Sequence, residues 1–352
     1  MSEDLSPALK DWVEVEAGTS VVSAETIGSG ASRQIWAVVL ARGDELVVRA
    51  DTGDGPVAGT PLTLAREAAV YRALASADLP IPRLHAVHPD GTALLLDRAP
   101  GDAPLEALAD AERHSVAEDF GQCLGRLHLL TPDRLDLGPL APPRGADPTA
   151  CDLELWRSID ESRRGVTSGP VAPLALRLLA TSVPTPTRAS LCHGDAGPGN
   201  FLHDAGRVTA LLDWEFAHVG DPHDDLAWVA VRNQVLGHPL DVAASFSAWR
   251  ATTDAAIDLQ RVEWFRVLVL TRMLVSCDAT IAWAGPDAPS ARVQAVLRPF
   301  LAVAVFESLR RAGIAVTDAA DLERDARTEW EGSLIAGLLG DPTDLDDLGA
   351  LL

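Results

Sequence analysis

With 352 residues, 47% hydrophobic and 23% charged, the chain has a globular balance and the length for two lobes around a sizeable core. A net charge of −22 makes nucleic acid and anionic membrane surfaces poor partners, and the apolar runs break before membrane-spanning length. Four dispersed cysteines (Cys123, Cys151, Cys192, Cys277) and the acidic start Met1-Ser2-Glu3-Asp4 argue against a zinc site, a disulfide scaffold or a secretion signal, and fit a reduced cytoplasmic protein.

Residues 1–20 read as an N-terminal segment. Runs 21–27 and 34–40 read as strands around the turn Gly28-Ser29-Gly30-Ala31-Ser32, and 46–49 as a third strand after Arg42-Gly43-Asp44. The Gly-, Pro- and Asp-rich stretch 51–61 is a loop by composition. The spacing of Leu64, Ala68, Tyr71 and Leu74 predicts a helix over 62–77, closed by Pro80 and Pro82. Strands over 83–87 and 92–96 complete a small, mainly antiparallel sheet.

Asp97-Arg98-Ala99-Pro100-Gly101 is a turn-rich connector. It divides an N-terminal unit, 1–97, from a mainly helical remainder, 98–352. Helices are expected over 109–130, 153–163, 171–181, 225–235, 259–283, 292–312 and 319–339. Two short β runs, 188–192 and 208–212, interrupt them. The class is α+β, with two lobes.

The β runs bracket the most specific chemistry in the chain. His193-Gly194-Asp195-Ala196-Gly197-Pro198-Gly199-Asn200 places a carboxylate and a carboxamide five residues apart, and Asp213-Trp214-Glu215 supplies another carboxylate thirteen residues later. Kinase-fold enzymes present a catalytic Asp, a metal-binding Asn and a metal-binding Asp in this order. Phosphoryl transfer needs a few rigidly held polar groups. Asp195 would accept or orient the proton of an attacking hydroxyl, Asn200 would offer its oxygen to Mg²⁺, and Asp213 would bridge Mg²⁺ to the nucleotide phosphates. His193 is expected to orient the loop.

The block His193–Asn200, then Leu211-Leu212-Asp213-Trp214-Glu215, then Gly220-Asp221-Pro222-His223-Asp224-Asp225-Leu226-Ala227 resembles the central signature of the aminoglycoside phosphotransferase and choline kinase-like superfamily. The Asp-Trp-Glu variant is most similar to the phosphotransferase-like branch fused in animals to acyl-CoA dehydrogenase modules. The resemblance implies a two-lobed protein-kinase-like fold. Its N-lobe would be a small antiparallel sheet, its C-lobe larger and helical, with ATP or GTP in the cleft between. It also implies phosphorylation of a hydroxyl on a small metabolite or aminoglycoside-like acceptor, Asp195 as catalytic base, Mg²⁺ on Asn200 and Asp213, and Asp225 bracing the catalytic loop.

The family's third strand normally supplies a phosphate-binding lysine paired with a helix glutamate. Lys10 is the only lysine here, so Arg49 with Glu67 is the candidate pair. Gly28, Ser29, Gly30 and Ser32 are the candidate phosphate loop. The backbone of 97–101, through Asp97 and Ala99, would meet the purine. Arg33 stands where a dinucleotide fingerprint needs glycine, and a Walker A lysine is missing. Two other readings stay open: a catalytically weak kinase-fold nucleotide or metabolite binder, motivated by Arg49, and a metal-dependent phosphoesterase using His218, Asp221 and His223. The acceptor subsite is expected around 150–165 and in the helices after 225, with tryptophans lining it, in a monomer or homodimer.

Overall fold

The period-two alternation of the first strands sorts the small sheet into two faces. In the computed structural model, which describes residues 4–29, 33–51, 57, 59–162, 169–185, 188–285, 288–316, 319–333 and 342, five antiparallel strands lie in the order β1-β2-β3-β5-β4. These are β1 (Val21–Ser29), β2 (Arg33–Leu40), β3 (Glu45–Asp51), β4 (Leu84–Val87) and β5 (Ala93–Asp97). On one face Trp36, Val38, Leu46, Val48 and Leu95 bury against Trp12 and Val13 of helix α1 (Pro7–Ala17). That helix occupies part of the segment left unassigned from sequence. Ser6 accepts a hydrogen bond from the Leu9 amide at 3.3 Å and caps it.

The opposite face carries Val47 and Arg49, paired in register with Leu96 and Leu94 of β5. Over it runs α2 (Leu64–Leu74), shorter than the expected 62–77, with Thr63 at its N-cap and an extra half turn ahead of Pro80. Gly28 and Ser29 end β1 rather than forming a turn. Gly30 and Ser32 lie outside the described residues.

The remainder is helical: α3 (Asp110–Leu129), α4 (Pro148–Ser162), α5 (Val171–Leu179), α6 (His223–Leu236), α7 (Val242–Thr253), α8 (Leu259–Ala284), α9 (Pro289–Arg311) and α10 (Ala320–Glu331). Helix α7, which packs on α3, was not expected. Of the helix expected over 319–339, residues 334–339 lie outside the described residues. Two two-stranded sheets hold the catalytic segment: β6 (Ser190–Cys192) with β9 (His218–Gly220), and the hairpin β7 (Phe201–Asp204) with β8 (Arg207–Leu211).

One hydrophobic cluster runs through these helices and continues into α2 and into Leu94 and Leu96 of β5. Arg66 of α2 adds polar ties, donating to Ala217 O at 2.9 Å and to Pro139 O at 3.3 Å. Among the described residues no helix is long and apolar enough to cross a membrane.

Candidate active site

The loop 193–200, the candidate catalytic loop, is held from behind by a buried carboxylate. Asp225, in the first turn of α6, accepts from the backbone amides of His193 (2.7 Å) and Gly194 (2.9 Å) and from His128 Nε2 (2.9 Å). Trp249 of α7 donates to His128 Nδ1 at 2.8 Å, which fixes the imidazole with its proton on Nε2. Burial alone would raise the Asp225 carboxyl, but the hydrogen bond from His128 outweighs it and holds it below the usual range. Gly194 adopts φ 81, and a Cβ there would stand 2.1 Å from Phe216 O, so no other residue fits.

His193 faces away from the cleft. Its ring lies 4.5 Å from Trp214, its Nε2 donates to Leu212 O at 2.8 Å, and burial keeps it neutral. It ties the loop to the residue just before Asp213 and lines neither of the two cavities described below.

Asp195 is fixed at both oxygens. Arg232 Nη1 donates to Oδ1 at 2.8 Å and Asn200 Nδ2 donates to Oδ2 at 2.6 Å. Burial, opposed by Arg232 and reinforced by Asp213, pushes the Asp195 carboxyl up to about 6. Asn200 spends its amide N–H groups on Asp195, including the backbone carbonyl at 2.8 Å, which leaves the side-chain oxygen as an acceptor. Asp213 follows β8 in a left-handed conformation, φ 63, ψ 62. The free amide oxygen of Asn200 and the carboxylate of Asp213 are hard oxygen donors, of the kind that suits Mg²⁺ rather than a transition metal.

Arg49 meets the expected partner and a second one. Its Nε donates to Glu67 Oε2 at 2.9 Å and its Nη2 to Asp213 Oδ1 at 2.5 Å. Arg33 donates from Nε to the other oxygen of Glu67 at 3.3 Å and from Nη2 to Leu62 O at 3.1 Å. Glu67, fully buried, therefore carries two guanidinium groups. Glu215 lies 4.0 Å from Arg49, and burial together with Asp213 pushes its carboxyl up.

Two cavities flank this cluster. One, of 340 Å³, lies at the connector, between Val47 and Ile35 of the sheet and Leu202 and Leu212 below, with Asp97, Ala99 and Gly101 along its edge. The other, of 540 Å³, lies beside Asp195 and Arg232 and is walled by Trp156, Ile159, Phe216, Trp228, Met273 and Leu297. Trp156 and Ile159 belong to the 150–165 stretch and Trp228, Met273 and Leu297 to the helices after 225, whereas Phe216 lies outside both regions expected for an acceptor subsite. Arg49, Asp213 and Ile35 border both.

The histidines proposed for a phosphoesterase do not converge. His218 Nε2 lies 2.9 Å from Asp224, whereas His223 Nδ1 lies 2.7 Å from Asp221. Asp224 is already engaged by both Nη atoms of Arg272 at 2.8 Å, and Arg272 also binds Asp152. His85 and His88 pair separately with Asp97 and Asp90.

Arg33, His128 and Arg232 were not singled out as site residues from sequence. Arg33 registered only as a failed glycine position. His128 and Arg232 lie inside amphipathic helices, where nothing local marks them, and only the return of α3 and α6 to the loop gives them a role.

A family model of a phosphotransferase enzyme family matches residues 23–272. The chain is 26% identical over 175 residues to acyl-CoA dehydrogenase family member 10 of Mus musculus, and 30% identical over 162 residues to an aminoglycoside 3'-phosphotransferase of Streptomyces fradiae. These matches cover 46% and 43% of the chain, but span only 16% and 58% of the two relatives. In fold it is similar to aminoglycoside phosphotransferase APH(4)-Ia, solved with ADP and hygromycin B: TM-score 0.60, 18% identity, 88% of this chain and 100% of that one. Macrolide 2'-phosphotransferase MphH of Brachybacterium faecium superposes with TM-score 0.56 at 20% identity, over 83% and 98% of the two chains. With the family match running through the sheet, the catalytic loop and most of α8, the chain belongs to the phosphotransferase enzyme family.

Proposed function

We propose that this protein is a small-molecule kinase that transfers the γ-phosphate of ATP or GTP to a hydroxyl of a small acceptor. The observation that supports it best is the pair of cavities that share Arg49 and Asp213 as a common border, one at the connector and one beside Asp195. A purine fits between the apolar walls of the first, with the backbone of 97–101 as the hinge it meets. The acceptor enters the second, where its hydroxyl reaches a carboxylate already fixed in plane.

Asn200 and Asp213 would hold Mg²⁺, which supplies charge neutralisation along the phosphates. Asp195 takes or orients the hydroxyl proton at a carboxylate oxygen, and Arg49, steadied by Glu67, faces the phosphates as a planar donor in place of lysine. The aromatic and aliphatic walls of the larger cavity favour an acceptor with an apolar body.

The direct test is Asp195→Ala. Calorimetry should show binding of Mg-ADP close to that of the unaltered chain, while γ-phosphate transfer to an acceptor found by metabolite screening falls by about 10³-fold or more. Full activity in the variant would remove Asp195 from the mechanism. The reading as a binder without turnover draws on Arg49 in place of lysine, paired with Asp213 at 2.5 Å. Nucleotide binding without phosphate release from the unaltered chain would favour it.

A further inference from the structure

The catalytic loop is crossed by a side chain that belongs to a different element. Arg232, three turns along α6, reaches back and donates from Nη1 to Asp195 Oδ1 at 2.8 Å and from Nε to Pro198 O at 3.1 Å. Its side chain is 12% exposed and that of Asp195 14%, so the contact lies under the loop and away from bulk water. The loop is shaped to admit it. At Gly197, with φ 142, a Cβ would come within 2.8 Å of Arg232 Cδ, and at Gly199 a Cβ would lie 3.3 Å from Nη2. The Gly-Pro-Gly of the catalytic loop therefore makes room for the guanidinium.

A carboxylate on a freely rotating side chain presents its lone pairs in many directions. One held at Oδ1 by Arg232 and at Oδ2 by Asn200 presents a single plane. Near-attack geometry is sensitive to such orientation, since a displacement of about 1 Å can cost on the order of 10²-fold in rate. Arg232 borders the cavity beside Asp195 and does not line the one at the connector.

We propose that Arg232 is a positioning residue for phosphoryl transfer, fixing the plane of the Asp195 carboxylate and clamping residues 195–200 onto α6 through the gap left by Gly197 and Gly199. The inference rests on the kinase reading above. It assigns Arg232 no part in nucleotide binding.

The test compares the full chain with its Arg232→Ala, Arg232→Gln and Arg232→Lys variants, following phosphate release from Mg-ATP with water as the acceptor. Expected for Arg232→Ala is a fall in kcat of about 10²-fold, with KM for ATP unchanged and partial recovery on adding guanidinium ion. Arg232→Lys should remain well below the unaltered chain, because a point charge cannot span Asp195 and Pro198 O together. Amide hydrogen exchange over 194–200 should quicken in Arg232→Ala. Arg232→Gln gives the same comparison if the alanine variant does not fold. Unchanged exchange in the loop, or a kcat within about threefold of the unaltered chain, overturns the proposal. A fall in kcat matched by an equal loss of Mg-ADP binding also overturns it. If the unaltered chain releases no phosphate to water, the same variants are compared with the acceptor found by screening; transfer to no acceptor at all overturns the kinase reading by itself, and the exchange measurement alone then decides whether Arg232 clamps the loop.

Discussion

Arg49 is the residue proposed to stand in for the family's lysine, and its surroundings show how a buried guanidinium is accommodated there. Burial opposes its charge, but Asp213 and Glu67 raise its proton affinity well above the usual guanidinium range, so it stays charged. Glu67 is shared with Arg33, and the second arginine prevents the carboxylate from collapsing wholly onto Arg49. Arg49→Ala should weaken Mg-ADP binding by about 10-fold or more, read by calorimetry, since it removes a charge-assisted bidentate donor. Arg49→Lys should recover part of that loss. The pairing with Glu67 was legible in the sequence because a strand cation and a helix acid stood at the expected stations. The contact with Asp213 was not, because it joins residues 164 positions apart.

At the scale of elements, four segments are stitched together by one buried ionic cluster: Asp152 of α4, His218 of β9, Asp224 of α6 and Arg272 of α8. Burial alone would lower the His218 pKa, but Asp152 and Asp224 raise it to about 9, while Arg272 and His218 hold Asp224 down at about 2. Because the folded pKa of His218 exceeds its unfolded value of about 6.5, the protonated imidazole stabilises the fold fully below that pH. That contribution fades as pH rises through about 9. Thermal denaturation followed from pH 7 to 10 should therefore show a falling Tm that His218→Asn flattens, with a loss on the order of 1–3 kcal/mol. Apolar residues at helical spacing made α2, α3, α6 and α8 readable, although α6 and α8 are buried on nearly every side. Helix α7 (Val242–Thr253) escaped because small Ala, Ser and Thr residues fill most of it and blur the line between core and surface positions. Strands of three or four residues, such as β9 and β7, are too short to alternate detectably.

Across the whole molecule, the hydrophobic interior does not follow the division that the connector suggests. The outer face of the sheet has its own cluster with α1, but the inner face and α2 are buried in the large cluster of the helical part. The two-lobed outline was legible from Asp97–Gly101 and the change from strand to helix patterning, whereas the sharing of one interior across it depends on contacts far apart in sequence. The consequence concerns dissection of the protein. A fragment of residues 1–97 would keep α2 on the sheet but lose the helical part of the cluster in which Leu64, Tyr71, Leu74, Leu94 and Leu96 are buried. An apolar face of that extent on a small sheet favours self-association over a stable monomer. Expressed alone, the fragment should elute as aggregate in size-exclusion chromatography, and co-expression with residues 98–352 should restore solubility. The sheet that would carry the nucleotide is thus a dependent half: it is completed, as well as served, by the lobe that holds Asp195.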